Sequence, residues 1–422
     1  MATTMKQAAV APLLTDYMDV RAQTERLCQP LATEDYVVQS MDDVSPTKWH
    51  LAHTSWFFET FLLKPHLQSY HEFDEAYAFL FNSYYTQAGE RHCRAQRGYI
   101  SRPTVEQVFA YRHHVDTAMA DLVERAADDD AVTALLELGL NHEQQHQELL
   151  LTDIKHVFSV NPLRPVYSER VSRPSRATGA GEWLSFDGGL VEIGHGGGGF
   201  SYDNETPRHR VFLEPFRLAS RLVTNGEYLE FMNDGGYVRP ELWLSMGWAE
   251  VQAQQLSEPF YWEQRDGEWW IFTLSGMRHV DPYEPVCHVS YFEADAFARW
   301  KGARLPAEAE WETAAASLQP DAGNFVEDHA YHPLPADGAG RGLQQMFGDV
   351  WEWTRSQYSP YPGYRPAAGA IGEYNGKFMC NQFVLRGGSC ATPRSHVRAT
   401  YRNFFPPEST WQFTGLRLAN DQ

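Results

Sequence analysis

Two histidines set four residues apart are the side chains of this sequence best suited to chemistry. His142 and His146 lie in the segment LELGLNHEQQHQELLLTDIKHVF, where a spacing of four places two imidazoles on one face of an α-helix. Because apolar residues recur at helical period along the same stripe, we expect both rings to point inward, with Glu143 and Glu148 largely outside the stripe. Buried imidazoles need polar partners. The pair therefore predicts a shared divalent cation, with two hydrogen-bonded core histidines as the alternative.

The segment SPTKWHLAHTSWFFETFLL offers a third metal ligand. Ser45 and Pro46 predict the start of a helix, with Ser45 as its cap and Pro46 at the first helical position. His50 and His53 follow among aromatic residues, and the spacing does not choose which of them faces the first pair. Three neutral imidazoles leave open coordination positions on iron, copper or zinc, as a catalytic site requires.

Composition limits the class of protein. At 422 residues the chain should form two or three domains. The 35 Lys and Arg against 55 Asp and Glu give a net charge of −20, which disfavours nucleic acid and anionic membranes and favours small-molecule substrates. No run has the apolar length of a membrane span, and the first residues do not resemble a signal peptide, so we expect a soluble, cytoplasmic protein. The five cysteines are odd in number and form no CxxC pair, which argues against a disulfide framework.

The texture of the sequence predicts an α+β multidomain protein. Residues 1–165 read as long amphipathic helices and predict a four-helix bundle. The segment PLRPVYSERVSRPSRATGAGE is rich in Pro, Arg, Ser and Gly and has no apolar period, which predicts a linker at residues 166–182. Residues 183–422 predict short strands and glycine-rich loops, with few helices beyond SYFEADAFARWKGA and AEAEWETAAA. The run GHGGGG lacks the strand and helix of a phosphate-binding loop and is expected to be an ordinary loop.

Motifs in order along nearly the whole chain resemble known families. WHLAHTSWFFE and LNHEQQHQE resemble the DinB-like four-helix domain. The segments PVCHVSYFEADAFARWKGARLPAEAEWETAA, GDVWEWT, VLRGGSC and YRNFFPPESTWQFTGLRLA resemble the formylglycine-generating-enzyme fold, a C-type-lectin-like module. Together with FNSYYTQAGERHCRAQRGYISRPT, they resemble the EgtB family, the sulfoxide synthases of ergothioneine biosynthesis. This resemblance implies an iron(II) enzyme that uses O2 to join a cysteine-type thiol to C2 of the imidazole of N-α-trimethylhistidine (hercynine).

The resemblance also implies roles for individual residues around the metal. It places the iron ligands at His53, His142 and His146, and gives His50 a supporting or core position. It matches Gln145 to a position that contacts the substrate imidazole. A structural hydrogen bond to a neighbouring helix is the alternative role for this amide.

Two tyrosines are expected to replace a missing proton donor. In the best-known branch of the family the catalytic tyrosine falls three residues before the match of Tyr374, where this chain has Ile371. Tyr84 and Tyr85 are the natural replacements, because a phenol can donate a hydrogen bond or proton and steer oxygen toward sulfur transfer rather than thiol oxidation. Half-buried core aromatics are the alternative interpretation.

Three arginines at intervals of three bear on the sulfur donor. The guanidinium groups of Arg91 and Arg94 could each form bidentate hydrogen bonds to an amino-acid carboxylate, whereas Arg97 is expected in a solvated basic patch. The glutamyl-cysteine-using branch has an aspartate that contacts the donor at the position of Phe405 here. We therefore expect free cysteine as the donor, with γ-glutamylcysteine as the alternative.

The trimethylammonium cation of the substrate calls for aromatic faces. Phe404 and Phe405 are candidates, with Trp411 and Trp56, and Asn403 could reach the substrate carboxylate.

Two other functions stay open at this point. Three histidines alone do not select iron, so a DinB-like zinc- or nickel-dependent thiol transferase is one, and a noncatalytic lectin-like binding module is the other.

Overall fold

The chain divides into two compact units. The computed structural model describes residues 2–126, 128–170, 179, 181–337 and 342–422, with side chains from residue 12 onward. One unit comprises Met1–Leu163 with Ala367–Tyr374, and the other comprises Arg164–Pro366 with Asn375–Gln422. Most of the predicted linker, residues 171–178 and 180, lies outside the described residues, and the boundaries at 165 and 183 stay a prediction.

Four long helices dominate the first unit, as the sequence predicts. The helix α2 packs against both α5 and α6, and α1 packs against α6. A π-helical turn continues α2 and short 3-10 turns connect the other elements. The helices are α1 (Ala2–Cys28), α2 (Thr47–Phe58), α3 (Lys64–His66), α4 (Tyr77–Phe81), α5 (Val105–Ala126) and α6 (Asp130–Val160).

The start of α2 differs from the sequence prediction by one residue. Pro46 is the N-cap, and Ser45 makes no cap hydrogen bond. Instead the backbone N–H of Ser45 donates to Asp153 Oδ2 at 2.8 Å, and its hydroxyl accepts from Arg97 at 2.9 Å. The prediction of Ser45 as the cap is therefore wrong, because its N–H and its hydroxyl bind partners that are distant in sequence.

The second unit is built from short strands and a few helices. Its strands form four small sheets of order β1-β4-β12, β10-β9-β8-β11, β2-β3 and β5-β6-β7. All pairings are antiparallel except that of β8 with β11. The strands are β1 (Trp183–Phe186), β2 (Gly189–Ile193), β3 (His209–Leu213), β4 (Phe216–Ala219), β5 (Trp262–Arg265), β6 (Glu268–Thr273), β7 (Gly276–His279), β8 (Trp351–Gln357), β9 (Phe383–Arg386), β10 (Asn403–Phe405), β11 (Thr414–Gly415) and β12 (Ala419–Asp421).

The helices of this unit include two that the sequence analysis missed. The helices of this unit are α7 (Asn225–Asn233), α8 (Ser245–Gln254), α9 (Tyr291–Trp300) and α10 (Glu308–Ala315), of which α7 and α8 were missed. A short α11 (Glu373–Gly376) begins in the last residues assigned to the first unit and ends in the second. The predicted helices are α9 and α10. The start of α7 carries a readable signal, because Thr224 and Glu227 form a capping box.

Within the described residues, the fold class, the glycine-rich run and the cysteines agree with the sequence predictions. The α+β class is confirmed, and the GHGGGG run forms neither a helix nor a strand. All five cysteines are free, in agreement with the expectation of no disulfide framework. Within the described part of the chain, no helix has the length and apolar character needed to cross a membrane.

Candidate metal centre

Three histidines from two packed helices converge in the first unit. His53 on α2 and His142 and His146 on α6 each offer a ring nitrogen, and these nitrogens lie within 4.8 Å of one another. His53 Nε2 and His142 Nε2 are 3.2 Å apart. The structure thus brings together the three residues that the family resemblance implied. It also resolves the choice that spacing left open, since His53 rather than His50 belongs to the group.

Hydrogen bonding fixes which nitrogen of His53 faces this group. Its Nδ1 lies 2.6 Å from the carbonyl oxygen of Phe81. A carbonyl can only accept, so Nδ1 carries the proton and Nε2 presents its lone pair to His142. By contrast, His142 Nδ1 is buried and has no hydrogen-bond partner among the described residues.

All three rings are held in the neutral form by their surroundings. Burial lowers the pKa of His142 to about 4. Burial also lowers the pKa of His53 and of His146 well below the usual range, and neighbouring histidines lower both further. Neutral imidazoles with converging lone pairs are the form that binds a metal ion. Near neutral pH the group is therefore ready to receive a cation without first losing protons.

Aromatic rings restrict the orientation of two of these imidazoles. Trp49 stacks on His53 at 4.5 Å between ring centroids, and Trp56 stacks on the same ring at 5.5 Å. Phe57 stacks on His142 at 4.6 Å. The indoles and the phenyl ring are all buried, so they restrict rotation of His53 and His142.

The buried side of α6 is broader than the sequence suggested. Glu143, which was expected largely outside the buried stripe, has no exposed surface, and Glu148 is also buried. Glu143 is tolerated because Arg21 and Arg112 contact its two carboxylate oxygens, at 2.9 and 2.5 Å. This ion network ties α6 to α1 and α5 directly beside His142.

His50 lies beside the group of three and makes two contacts of its own. Its Nδ1 lies 2.9 Å from His146 Nδ1, and its Nε2 lies 3.0 Å from Asp153 Oδ2. Sequence reasoning did not identify Asp153. It lies on α6 more than one hundred residues from His50, and nothing in its local pattern distinguishes it from other acids.

The two candidate tyrosines have different surroundings. Tyr85 is buried against Trp56 at 5.7 Å and Phe61 at 5.3 Å between ring centroids. Burial, reinforced by Tyr374, raises the pKa of Tyr85. Tyr84 is half-buried, and its hydroxyl accepts a hydrogen bond from Arg94 at 2.7 Å.

A late segment of the chain completes the surroundings of these tyrosines. The ring of Tyr374, in the segment that belongs to the first unit, lies 6.0 Å from that of Tyr84. The carboxylate of Glu373 accepts from the backbone N–H groups of Thr86 and Gln87, at 2.7 and 3.0 Å. No signal in the sequence pointed to Glu373, because its partners are almost three hundred residues away.

The three arginines are not equivalent. Arg91 is exposed and donates to the carbonyl oxygen of Ser83 at 2.9 Å, whereas Arg94 is half-buried. The expectation that Arg97 lies in a solvated patch is wrong, because it is only 4% exposed and its guanidinium lies 3.3 Å from the ring centre of Trp49. Burial, with a smaller effect of Arg94, lowers the pKa of Arg97 to about 9.

The remaining candidates lie on one helix and one strand. Gln145 is half-buried on α6, next to His146. Asn403, Phe404 and Phe405 form β10 in the second unit, paired with β9. Phe404 stacks on Tyr358 at 4.0 Å, and Phe405 lies 6.2 Å from Trp411. Their assignment to substrate binding stays a prediction.

Comparison with known proteins places both units in described families. Residues 17–150 match the DinB superfamily, and residues 169–334 and 332–422 match the sulfatase-modifying factor enzyme 1-like domain. These matches confirm the predicted classes of both domains and define a two-domain protein in which the helical unit comes first.

Relatives along nearly the full chain identify the family. The chain is 32% identical to hercynine oxygenase of Mycolicibacterium smegmatis, over 90% of this chain and 91% of that protein. It is also 32% identical to hercynine oxygenase of Mycolicibacterium thermoresistibile, over 97% of this chain and 95% of that protein. Ergothioneine biosynthesis protein 1 of Schizosaccharomyces pombe is 28% identical, over 53% of this chain and 28% of that protein. The chain belongs to the hercynine oxygenase family and is an oxygen-using enzyme, which removes the case for a noncatalytic module.

Proposed function

We propose that this enzyme binds iron(II) through His53, His142 and His146 and uses O2 to join cysteine sulfur to C2 of the hercynine imidazole as a sulfoxide. The observation that carries the proposal is the convergence of three neutral imidazole nitrogens within 4.8 Å. The donor set fits such an ion, since neutral nitrogen ligands from imidazole suit iron as well as zinc, copper and nickel. Iron held there would supply open coordination positions for ionising the thiol and activating O2.

The protein's own contribution begins with the arrangement of ligands. Trp49 and Trp56 both stack on the ring of His53, and the carbonyl of Phe81 holds the proton on Nδ1 of that ring. The lone pair of His53 Nε2 therefore faces inward before any metal arrives. Such preorganisation reduces the conformational freedom that is lost on binding.

The two phenols would supply the proton. The hydroxyl of Tyr85 carries a proton at neutral pH, since burial disfavours the phenolate and raises its pKa, and it could donate a hydrogen bond or that proton. The hydroxyl of Tyr84 accepts from Arg94 and has its own proton to donate in turn. Either phenol could therefore protonate oxygen beside the thiol, which favours sulfoxide over the sulfinate that simple thiol oxidation gives.

Free cysteine is the proposed sulfur donor. The half-exposed guanidinium of Arg94 and the exposed guanidinium of Arg91 can pair with a carboxylate. Phe405 offers no anionic group to an extended donor, so nothing at that position favours γ-glutamylcysteine.

A turnover experiment tests the proposal. Purified iron-loaded protein is supplied with hercynine, air and either cysteine or γ-glutamylcysteine, and the products are identified by mass spectrometry. We expect the cysteine-derived sulfoxide, at a higher rate than the glutamyl product. Formation of only cysteine sulfinate would refute the synthase assignment, and faster turnover of γ-glutamylcysteine would refute the choice of donor.

Two controls sharpen the result. The variant His142→Ala should lose both bound iron and product. An anaerobic reaction separates the proposal from a DinB-like zinc- or nickel-dependent thiol transferase, since C–S bond formation without O2, with zinc or nickel bound, would support the transferase.

A further inference from the structure

His50 connects one of the proposed ligands to a buried carboxylate. It stands on α2 between His146 and Asp153 of α6, at 2.9 Å from the first and 3.0 Å from the second. The side chains of His50 and Asp153 are 3% and 5% exposed, so water does not compete for these contacts. Asp153 Oδ2 also accepts from the backbone N–H of Ser45 at 2.8 Å, which holds the carboxylate in place.

The positions of the protons follow from the acceptors. An ionised carboxylate can only accept, so His50 Nε2 carries a proton and donates it to Asp153. In a neutral His50 the other nitrogen, Nδ1, is then an acceptor. The contact between the two Nδ1 atoms requires one proton, which must come from His146. His146 is thereby left with its lone pair on Nε2.

We infer that Asp153 and His50 act as positioning residues that fix the tautomer and ring orientation of His146, so that its Nε2 lone pair faces His53 and His142. This inference rests on the proposed metal site. The tautomer of His53 is fixed in the same way by its hydrogen bond to the carbonyl of Phe81, whereas His142 Nδ1 has no hydrogen-bond partner in the described residues. Of the three, only His146 is oriented through a charged group, which also strengthens it as a ligand.

Two amide variants of His50 separate its two contacts. In His50→Asn the amide oxygen can take the place of Nδ1 and still accept from His146. In His50→Gln the amide reaches the place of Nε2, so it can donate to Asp153 but offers His146 no acceptor. We expect His50→Gln to weaken iron(II) binding by about 10- to 100-fold, the usual effect of losing the hydrogen-bond partner of a ligand, and His50→Asn to weaken it much less.

The measurement is competition for iron(II) with a coloured chelator under anaerobic conditions. The free energy of unfolding of the metal-free protein, measured alongside, separates a role in packing from one in positioning. His156→Gln is the matched control, because it makes the same replacement at another buried histidine, on α6, whose ring contacts the hydroxyl of Ser40 at 2.7 Å. It should alter stability without altering iron affinity. Equal iron affinity of His50→Gln and the wild type would overturn the inference.

A second readout does not depend on iron. The ¹⁵N shifts of the histidine rings in the metal-free protein report which nitrogen of His146 is protonated. We expect Nδ1 in the wild type and in His50→Asn, and a shift of the proton toward Nε2 in His50→Gln. A proton on Nε2 of His146 in the wild type would contradict the inference. If the wild type bound no iron, the proposed function would fail, while this spectrum would still decide the tautomer.

Discussion

Replacing Glu143 by glutamine should destabilise the helical unit, because this carboxylate is the negative centre of its buried ion network. One oxygen accepts from Arg112 at 2.5 Å and from Thr24 at 2.6 Å, and the other accepts from Arg21 at 2.9 Å. In Glu143→Gln, Arg21 keeps Asp116 at 2.6 Å. Arg112 keeps neutral acceptors in Thr54 and the carbonyl of Arg21, but its remaining anionic partner is the carboxylate of Glu25, which is 46% exposed, so its buried charge loses most of its compensation.

The loss in the free energy of unfolding of Glu143→Gln can be worked out from the pKa of Glu143 and from the usual cost of breaking a buried ion pair. Burial raises the pKa of Glu143, but Arg112 and Arg21 outweigh burial and lower it from 4.5 to about 2. Such a lowering of the pKa corresponds to about 3 kcal/mol of stabilisation of the folded state at neutral pH. Breaking a buried ion pair by removing one partner costs about 3–5 kcal/mol. We expect Glu143→Gln to lose about 3 kcal/mol at pH 7.

The assay is urea denaturation of the metal-free protein followed by far-ultraviolet circular dichroism, a signal that the long helices dominate. Glu137→Gln is the control, because Glu137 lies on the same helix and is exposed. The folded pKa is depressed, so the stabilisation is complete above about pH 4.5 and is lost as the pH falls toward 2. The difference between Glu143→Gln and wild type should shrink over that range. A difference that is small at pH 7, or constant down to pH 3, would refute the reasoning.

Three further predictions follow from the same unit. The metal-free protein should lose stability as the pH falls below 6.5, because the lowered pKa values of His53, His142 and His146 mean that the folded state binds fewer protons than the unfolded state. The loss should be up to about 1.4 kcal/mol per pH unit for each of these histidines. A free energy of unfolding that stays constant between pH 7 and 5 in urea titrations would contradict this. The double variant Tyr84→Phe/Tyr85→Phe should lower sulfoxide formation by about 10²- to 10⁴-fold and raise the proportion of cysteine sulfinate, measured by mass spectrometry, and the two single variants show which phenol contributes more. An unchanged product ratio in the double variant would exclude phenol donation. Glu373→Ala should lower turnover while iron affinity stays the same, because the backbone N–H groups of Thr86 and Gln87, in the turn after Tyr85, lose the carboxylate that accepts from them. A loss of iron binding would instead indicate a wider structural role.

Local patterns made the long helices of the first unit and two of the three proposed metal ligands predictable. A spacing of four between His142 and His146 forces both rings to one side of any α-helix, whatever surrounds it. The amphipathic period of α5 and α6 likewise needs only neighbouring residues. Sequence motifs in both halves of the chain were sufficient to predict both domain families.

Contacts between distant residues decided the rest. His50 and His53 are three residues apart on one helix, and only the packing of α2 on α6 turns His53 toward His142 and His50 toward Asp153. The burial of Glu143 depends on Arg21 and Arg112, which come from two other helices.

What the sequence determined by itself was therefore the type of each ligand and its spacing along a helix, since both follow from the covalent chain and the helical repeat. Spacing did not choose the histidine that completes the group; the family resemblance implied His53, and the packing of α2 on α6 places it there. Only the tertiary structure showed which segment adjoins the tyrosines. The physical reason is that a buried polar group is stable only with a specific partner. In this protein the partners of Glu143, Asp153 and Glu373 lie on other elements, where no local pattern records them.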